Sequence, residues 1–167
     1  VTERVDPKAV RAALDEALPE GLDVIEVVPA GPGSLAERLE GSEWQIVVRG
    51  ADPAAVEDAV AGYLACDVAE ATRTFKTGPR TFDTREAVLA MGVTGVDDEG
   101  CAILRVVARH STPSVRPDDI LTALRAVTGF SPPVPPLVTR LAQGPLTDAA
   151  AGVADPLAAD KDAAGSG

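Results

Sequence analysis

Along this chain the spacing of apolar residues switches repeatedly between a helical period and an alternating one, and the order of the blocks predicts an α+β fold. The first block spans residues 6 to 18. Asp6 stands where an N-cap accepts from free backbone N–H groups, Pro7 suits the first helical position, and Val10, Leu14, Ala17 and Leu18 share one face. Pro19 and Gly21 end the helix. Val24, Ile25, Val27 and Val28 then form a β-branched run that predicts a strand, closed by the turn residues Pro29 to Gly33. No strand precedes this run to pair with it, so it would carry an open edge.

A short helix is expected from Ser34, because Glu37 three residues on completes a capping box. From Trp44 to Arg49 the pattern alternates: Trp44, Ile46 and Val48 face one way, Gln45, Val47 and Arg49 the other. Asp52 and Pro53 repeat the helix-start signature, and Val56, Ala59, Val60, Tyr63 and Leu64 make an apolar stripe at helical spacing. Residues 68 to 75 read as a strand running into the turn Thr77-Gly78-Pro79, with residues 80 to 83 as the return arm. Two further β-rich runs follow, at 86 to 94 and 101 to 108, although Asp83 and Glu86 also permit a helix for the first. Pro117 opens a helix with Ile120, Leu121, Leu124 and Val127 inward and Gly129 past its end. A proline-rich connector then leads to a strand over 137 to 142.

From Trp44 onward this is the split βαβ, or ferredoxin-like, order: an antiparallel sheet with a hairpin insert. The expected organisation is a helix-strand remnant over 1–30, a ferredoxin-like domain over 34–143, and a disordered tail over 144–167, where Ala, Asp, Gly and Pro lack periodicity. Valine occupies position 1 where an initiator methionine would stand, which predicts an alternative start codon or a piece of something longer.

Composition changes this picture in two ways. Aromatics make up 3% of the chain, so the core is expected to be aliphatic. No apolar run approaches the roughly 18 residues that span a bilayer and no signal peptide is recognisable, which predicts a cytoplasmic protein. The formal net charge of -11 argues against a general nucleic-acid binder, since phosphate contacts need clustered Lys and Arg. One such cluster exists. Arg73 to Arg85 holds four positive side chains against one negative, leaving -14 for everything else. A local reversal of that kind steers anions.

Other candidate chemistry is thin. His110 is the single histidine, so any Ser-His or Cys-His catalysis would have to use it, and its neighbour Ser111 would point a different way at a strand end. Cys66 and Cys101 have no CxxC spacing and read as small buried hydrophobes. A four-ligand structural zinc is excluded by count, as is a cysteine-bound iron–sulfur cluster. Asp97, Asp98 and Glu99 fit a solvated turn; Asp118 and Asp119 fit the first turn of a helix. Catalytic residues, metals and cofactors are therefore none in this reading. The candidates for RNA or anion contact are Arg73, Lys76, Arg80, Phe82 and Arg85, with Phe75 or Phe82 offering a ring to a base. The plain alternative is a hairpin whose charges are solvated and whose phenylalanines enter the core.

The order of elements, together with Lys76-Thr77-Gly78-Pro79-Arg80-Thr81-Phe82-Asp83, resembles the radical SAM-associated (radical SAM-linked) protein family over roughly residues 1 to 146. That family is a bacterial domain of unknown function encoded beside, or fused to, B12-binding radical SAM proteins. This chain resembles its C-terminal part and lacks the N-terminal half that members carry. A radical SAM enzyme needs a CxxxCxxC motif, which is absent here. The resemblance thus implies a non-catalytic accessory domain that brings RNA or another anionic substrate to a partner B12-binding radical SAM protein, away from membranes. The competing expectation is a pure protein–protein docking module that binds no nucleic acid. An independent small-molecule enzyme ranks third, for want of an acid/base constellation.

Overall fold

The computed structural model describes residues 5–147 and 152–165. The chain divides into two units: residues up to Leu35 together with those from Pro156 onward, and residues Ala36 to Asp155.

In the first unit, α1 (Pro7–Ala17) starts as its sequence demands, with Lys8 N–H donating to Asp6 Oδ1 at 3.1 Å. The predicted strand over 24 to 28 does not form. Instead Val24 N–H donates to Asp15 Oδ1 at 2.7 Å, and Arg11 Nε donates to the Val24 carbonyl at 2.8 Å. Side chains of α1 thereby take the backbone groups that a strand neighbour would have used. Ile25, within the run, is 87% exposed.

The tail also departs from expectation. Composition predicts disorder over 144–167, yet Leu146 and Val153 form an isolated bridge and α5 spans Ala158–Gly165. Polar anchoring replaces the missing hydrophobic period. The buried Asp160 carboxylate accepts from Gly31 N–H at 2.8 Å, and Lys161 Nζ meets Glu26 Oε2 at 2.6 Å. Residues 148–151, 166 and 167 lie outside the described residues.

The short α2 (Leu35–Arg38) starts at the boundary residue, and the second unit continues with β1 (Gly41–Val48), α3 (Pro53–Leu64), β2 (Glu70–Phe75), β3 (Gly78–Asp83), β4 (Val88–Val96), β5 (Ala102–Arg109), α4 (Pro117–Thr128) and β6 (Leu137–Gly144). Residues 88 to 96 are thus a strand, and the helix that Asp83 and Glu86 permitted is absent: Asp83 Oδ1 accepts from Arg85 N–H in a tight turn instead. Strands β4, β5, β1 and β6 form one antiparallel sheet in that order, while β2 and β3 pair separately as a ribbon. Because β1 and β4 both run antiparallel to β5 between them, they are parallel to each other. The connection through α3 therefore skips one strand, which is the split βαβ arrangement, and the connection through α4 does the same around β1. The ribbon is inserted between α3 and β4.

One hydrophobic cluster joins sheet to helices. Ile46 and Val48 of β1, Leu104 and Val106 of β5, Val56, Ala59, Val60 and Tyr63 of α3, and Ile120, Ala123 and Leu124 of α4 are all buried in it. The alternation of β1 predicts its share of this cluster. Val127 is the exception on α4: it is 40% exposed, and Ala123 takes the inward position. At the start of α3, Ala54 N–H donates to Asp52 Oδ1 at 3.0 Å. Asp52→Ala removes an acceptor from a helix end whose amides have no other intrahelical partner, so it should lower stability by about 1 kcal/mol. Urea unfolding followed by circular dichroism measures this directly, and an unchanged midpoint would mean the cap contributes nothing.

Candidate functional site

The basic hairpin folds as a two-residue turn at Lys76 and Thr77, with Phe75 opposite Gly78, Arg73 opposite Arg80 and Ala71 opposite Phe82. Gly78 sits at φ 109°, a conformation closed to most side chains, which is why a glycine follows that turn. Strand alternation sends Arg73, Phe75, Arg80 and Phe82 to one face. There the Phe75 and Phe82 rings meet edge to face with centroids 6.4 Å apart, and the Arg73 guanidinium lies over both, at 4.7 and 5.3 Å. Arg80 approaches Phe75 at 5.7 Å. On the opposite face the Thr72 and Thr81 hydroxyls bond at 2.8 Å.

The five candidate residues have different fates. Arg73 is already committed: Nη1 donates to Asp119 Oδ2 at 2.6 Å and Nη2 to the Ser114 carbonyl at 3.0 Å. The same Asp119 oxygen accepts from Arg116 N–H at 2.8 Å, so one carboxylate closes the N-terminus of α4 and holds the ribbon to it. Arg85 lies past the ribbon; its Nη1 donates to the Val88 carbonyl at 3.0 Å, and its Nε is buried without a hydrogen-bond partner. Phe82 is half-buried between Arg73 and Phe75. Lys76 and Arg80 remain exposed at and near the tip, and among the described residues neither forms an ion pair. The structure thus brings Arg73, Arg80 and Phe82 together with Phe75, sets Lys76 beside them in the turn, and leaves Arg85 apart.

The base of the ribbon is locked by a buried chain of hydrogen bonds. The Thr84 N–H and hydroxyl both donate to the Ala69 carbonyl at 2.8 Å. Since that hydroxyl proton is used, the Tyr63 hydroxyl is the donor to Thr84 Oγ1, at 2.9 Å. Burial pushes the Tyr63 phenol up from its ordinary value of 10.0.

A second constellation lies beside the loop that Arg73 clamps. A cleft of about 560 Å³ is lined by Ser42 and Trp44 of β1, Arg109 at the end of β5 and His110 after it, Ser114 to Asp118 leading into α4, and Val138, Arg140 and Gln143 of β6. The register explains how residues so far apart in sequence converge. Trp44 pairs with Arg140 and Ser42 with Gln143, a shift of one residue that makes Leu141 a bulge. The bulge puts Arg140 and Gln143, three positions apart, on the same face as Ser42 and Trp44. Arg140 stacks over the Trp44 ring at 5.5 Å. Ser42 Oγ and His110 Nε2 lie 2.9 Å apart.

Sequence reasoning missed this cleft. It looked for a hydroxyl partner of His110 only at Ser111, whose Oγ instead donates to the Pro113 carbonyl at 2.9 Å; the partner that the fold supplies, Ser42, lies 68 positions away. No local density of basic residues marks Arg109, Arg116 and Arg140. The pairing register sets Arg140 beside Trp44, and the connection from β5 to α4 brings Arg116 to the same cleft. The acidic turn behaves as read: Asp97 Oδ1 accepts from the N–H groups of Glu99 and Cys101 at 3.0 and 2.8 Å, which accounts for its carboxylate.

Among the described residues no helix is long and apolar enough to cross a membrane. A family model described as an uncharacterized protein conserved in bacteria (DUF2344) matches residues 1–117. No curated protein matches the chain, and no solved structure does.

Proposed function

The chain belongs to this uncharacterised family conserved in bacteria, and from that premise we propose that it is a non-catalytic accessory domain whose ribbon contacts an RNA-class anionic substrate for a partner enzyme. The resemblance of the Lys76 to Asp83 block to radical SAM-associated proteins supports a B12-binding radical SAM protein as that partner. One observation carries the anionic substrate: Lys76 and Arg80 stand exposed, without ion pairs among the described residues, next to two half-buried phenylalanine rings in a chain of net charge -11. Two exposed cations beside aromatic surface suit a single strand, whose phosphates they neutralise while a base lies against a ring. Arg73 and Arg85 hold the ribbon in shape in this reading and do not touch the strand.

The test is a fluorescence-anisotropy titration with a labelled single-stranded oligoribonucleotide at low and at moderate salt. Binding should weaken as salt rises, because phosphate contacts release counterions. Lys76→Glu with Arg80→Glu should weaken it by at least about tenfold, since two contacts to phosphate become two repulsions. Equal affinity in the double variant would remove the ribbon from the reading, and absence of RNA binding together with capture of an acidic protein surface would make the ribbon a docking element.

A further inference from the structure

The cleft beside α4 has a chemistry that the ribbon reading does not use. Its lining includes three arginines, Arg109, Arg116 and Arg140, against one acidic residue, Asp118. Among the described residues none of the three arginines forms an ion pair, although the chain carries 26 acidic side chains. Guanidinium forks match the oxygens of phosphates and carboxylates, and their charge persists at every physiological pH. A net excess of two positive charges balances a phosphomonoester, which carries close to two negative charges at neutral pH, better than it balances one carboxylate.

The remaining groups describe the rest of the ligand. At about 560 Å³ the space exceeds what a phosphate needs and falls within the range of sites that hold small organic molecules. Trp44, Val115 and Val138 give it an apolar side, and Arg140 already stacks on the indole. The Ser42–His110 pair and the Gln143 amide supply further hydrogen-bonding groups at the β1 end. The wall formed by Ser114 to Asp118 is pinned from outside, because the Ser114 carbonyl accepts from Arg73 and Arg116 N–H is held by Asp119. A pinned wall is a preorganised one.

We infer that this cleft is a binding site for an organic phosphomonoester of about mononucleotide size, with the phosphate held by Arg109, Arg116 and Arg140 and the organic body against Trp44. The phosphate group has two sources, a free nucleotide or the 5′ end of an RNA strand. The site is separate from the ribbon tip and stands whether or not the ribbon binds RNA.

The experiment is isothermal titration of the full chain with adenosine 5′-monophosphate, with adenosine and inorganic phosphate alongside. The nucleotide should bind, adenosine should not, and phosphate should bind more weakly. Arg116→Gln with Arg140→Gln should weaken nucleotide binding by at least about tenfold, the loss of one charge-assisted hydrogen bond or more. Both side chains are exposed, so folding is not at stake, and circular dichroism verifies it. Arg125→Gln, which removes one positive charge from α4 outside the cleft, should leave binding as it was. If the mononucleotide fails, a 5′-phosphorylated oligoribonucleotide should outcompete its 5′-hydroxyl twin in the native chain and lose that advantage in the double variant, which assigns the strand end as the source. The inference is overturned if neither phosphate-bearing ligand binds, or if either binds the double variant as tightly as the native chain. The 5′-hydroxyl strand reports on the ribbon independently, so the failure of one site is not mistaken for failure of the other.

Discussion

Replacing Arg73 by alanine should lower the stability of the domain by about 3 kcal/mol, although the residue lies on a surface ribbon. The reason is what it leaves behind. The Asp119 side chain is 7% exposed, against 20% for Arg73, and the two meet at 2.6 Å. Without the guanidinium, a nearly buried carboxylate keeps one backbone donor, Arg116 N–H, and faces an uncompensated desolvation cost. Removing one partner of a buried pair typically costs about 3 to 5 kcal/mol, and the residual exposure of Arg73 and the surviving amide donor put this case at the lower end. Losses elsewhere add to this: the Ser114 carbonyl loses its donor, and the stacking over Phe75 and Phe82 disappears. Arg73→Lys should recover only part of the loss, since one ammonium cannot reach Asp119 and Ser114 with the geometry of a planar fork. Adding Asp119→Asn to Arg73→Ala should restore stability relative to Arg73→Ala alone, because the stranded charge is then gone. Chemical denaturation of the native chain, Arg73→Ala, Asp119→Asn and the double variant measures the cycle. A change below about 1 kcal/mol for Arg73→Ala would place the pair with exposed surface ion pairs and remove its role as the tie between ribbon and helix.

The same residue marks the boundary of what local sequence can say. A stretch of Arg, Phe, Lys and Arg around Gly78 specifies a basic aromatic hairpin, and the turn chemistry and strand alternation put Arg73, Phe75, Arg80 and Phe82 on one face. Which of those cations is already neutralised depends on Asp119, 46 residues away, and sequence distance hides it. The helix α3 was legible because Asp52, Pro53 and a complete apolar stripe agree with one another. The run at 24 to 28 misled because β-branched composition measures fitness for a pleated surface and does not supply a neighbour; Asp15 and Arg11 of α1 took its backbone instead. The cleft was illegible for a third reason. Arg109, Arg116 and Arg140 come from three different elements, and a single bulged residue, Leu141, decides that Arg140 and Gln143 share a face with Trp44. Register of that kind is a tertiary fact.

The second large effect is expected at Tyr63, at the root of the ribbon. Its side chain is 0% exposed, packed in the core with Val56 and Val60 of its own helix, and it carries the one hydroxyl that reaches Thr84. Tyr63→Ala should cost about 4 kcal/mol, the range for emptying an aromatic site in a close-packed interior. Tyr63→Phe keeps the ring and removes only the donor to Thr84 Oγ1, whose own proton stays on the Ala69 carbonyl, so about 1 kcal/mol is expected. The pH dependence separates packing from hydrogen bonding. Burial raises the folded-state phenol above its ordinary value of 10.0, so the native chain holds that proton more tightly than the unfolded one does. Its contribution is fully present below pH 10 and is lost as pH rises through the raised value, because the unfolded chain then gives up the proton first. Thermal melts of the native chain should therefore fall in midpoint above pH 10, and Tyr63→Phe should flatten that decline while starting from a lower midpoint at neutral pH. Parallel alkaline curves for the two proteins would show that Tyr63 is not the group responsible, and an unchanged neutral midpoint would show that its hydroxyl does not hold the ribbon.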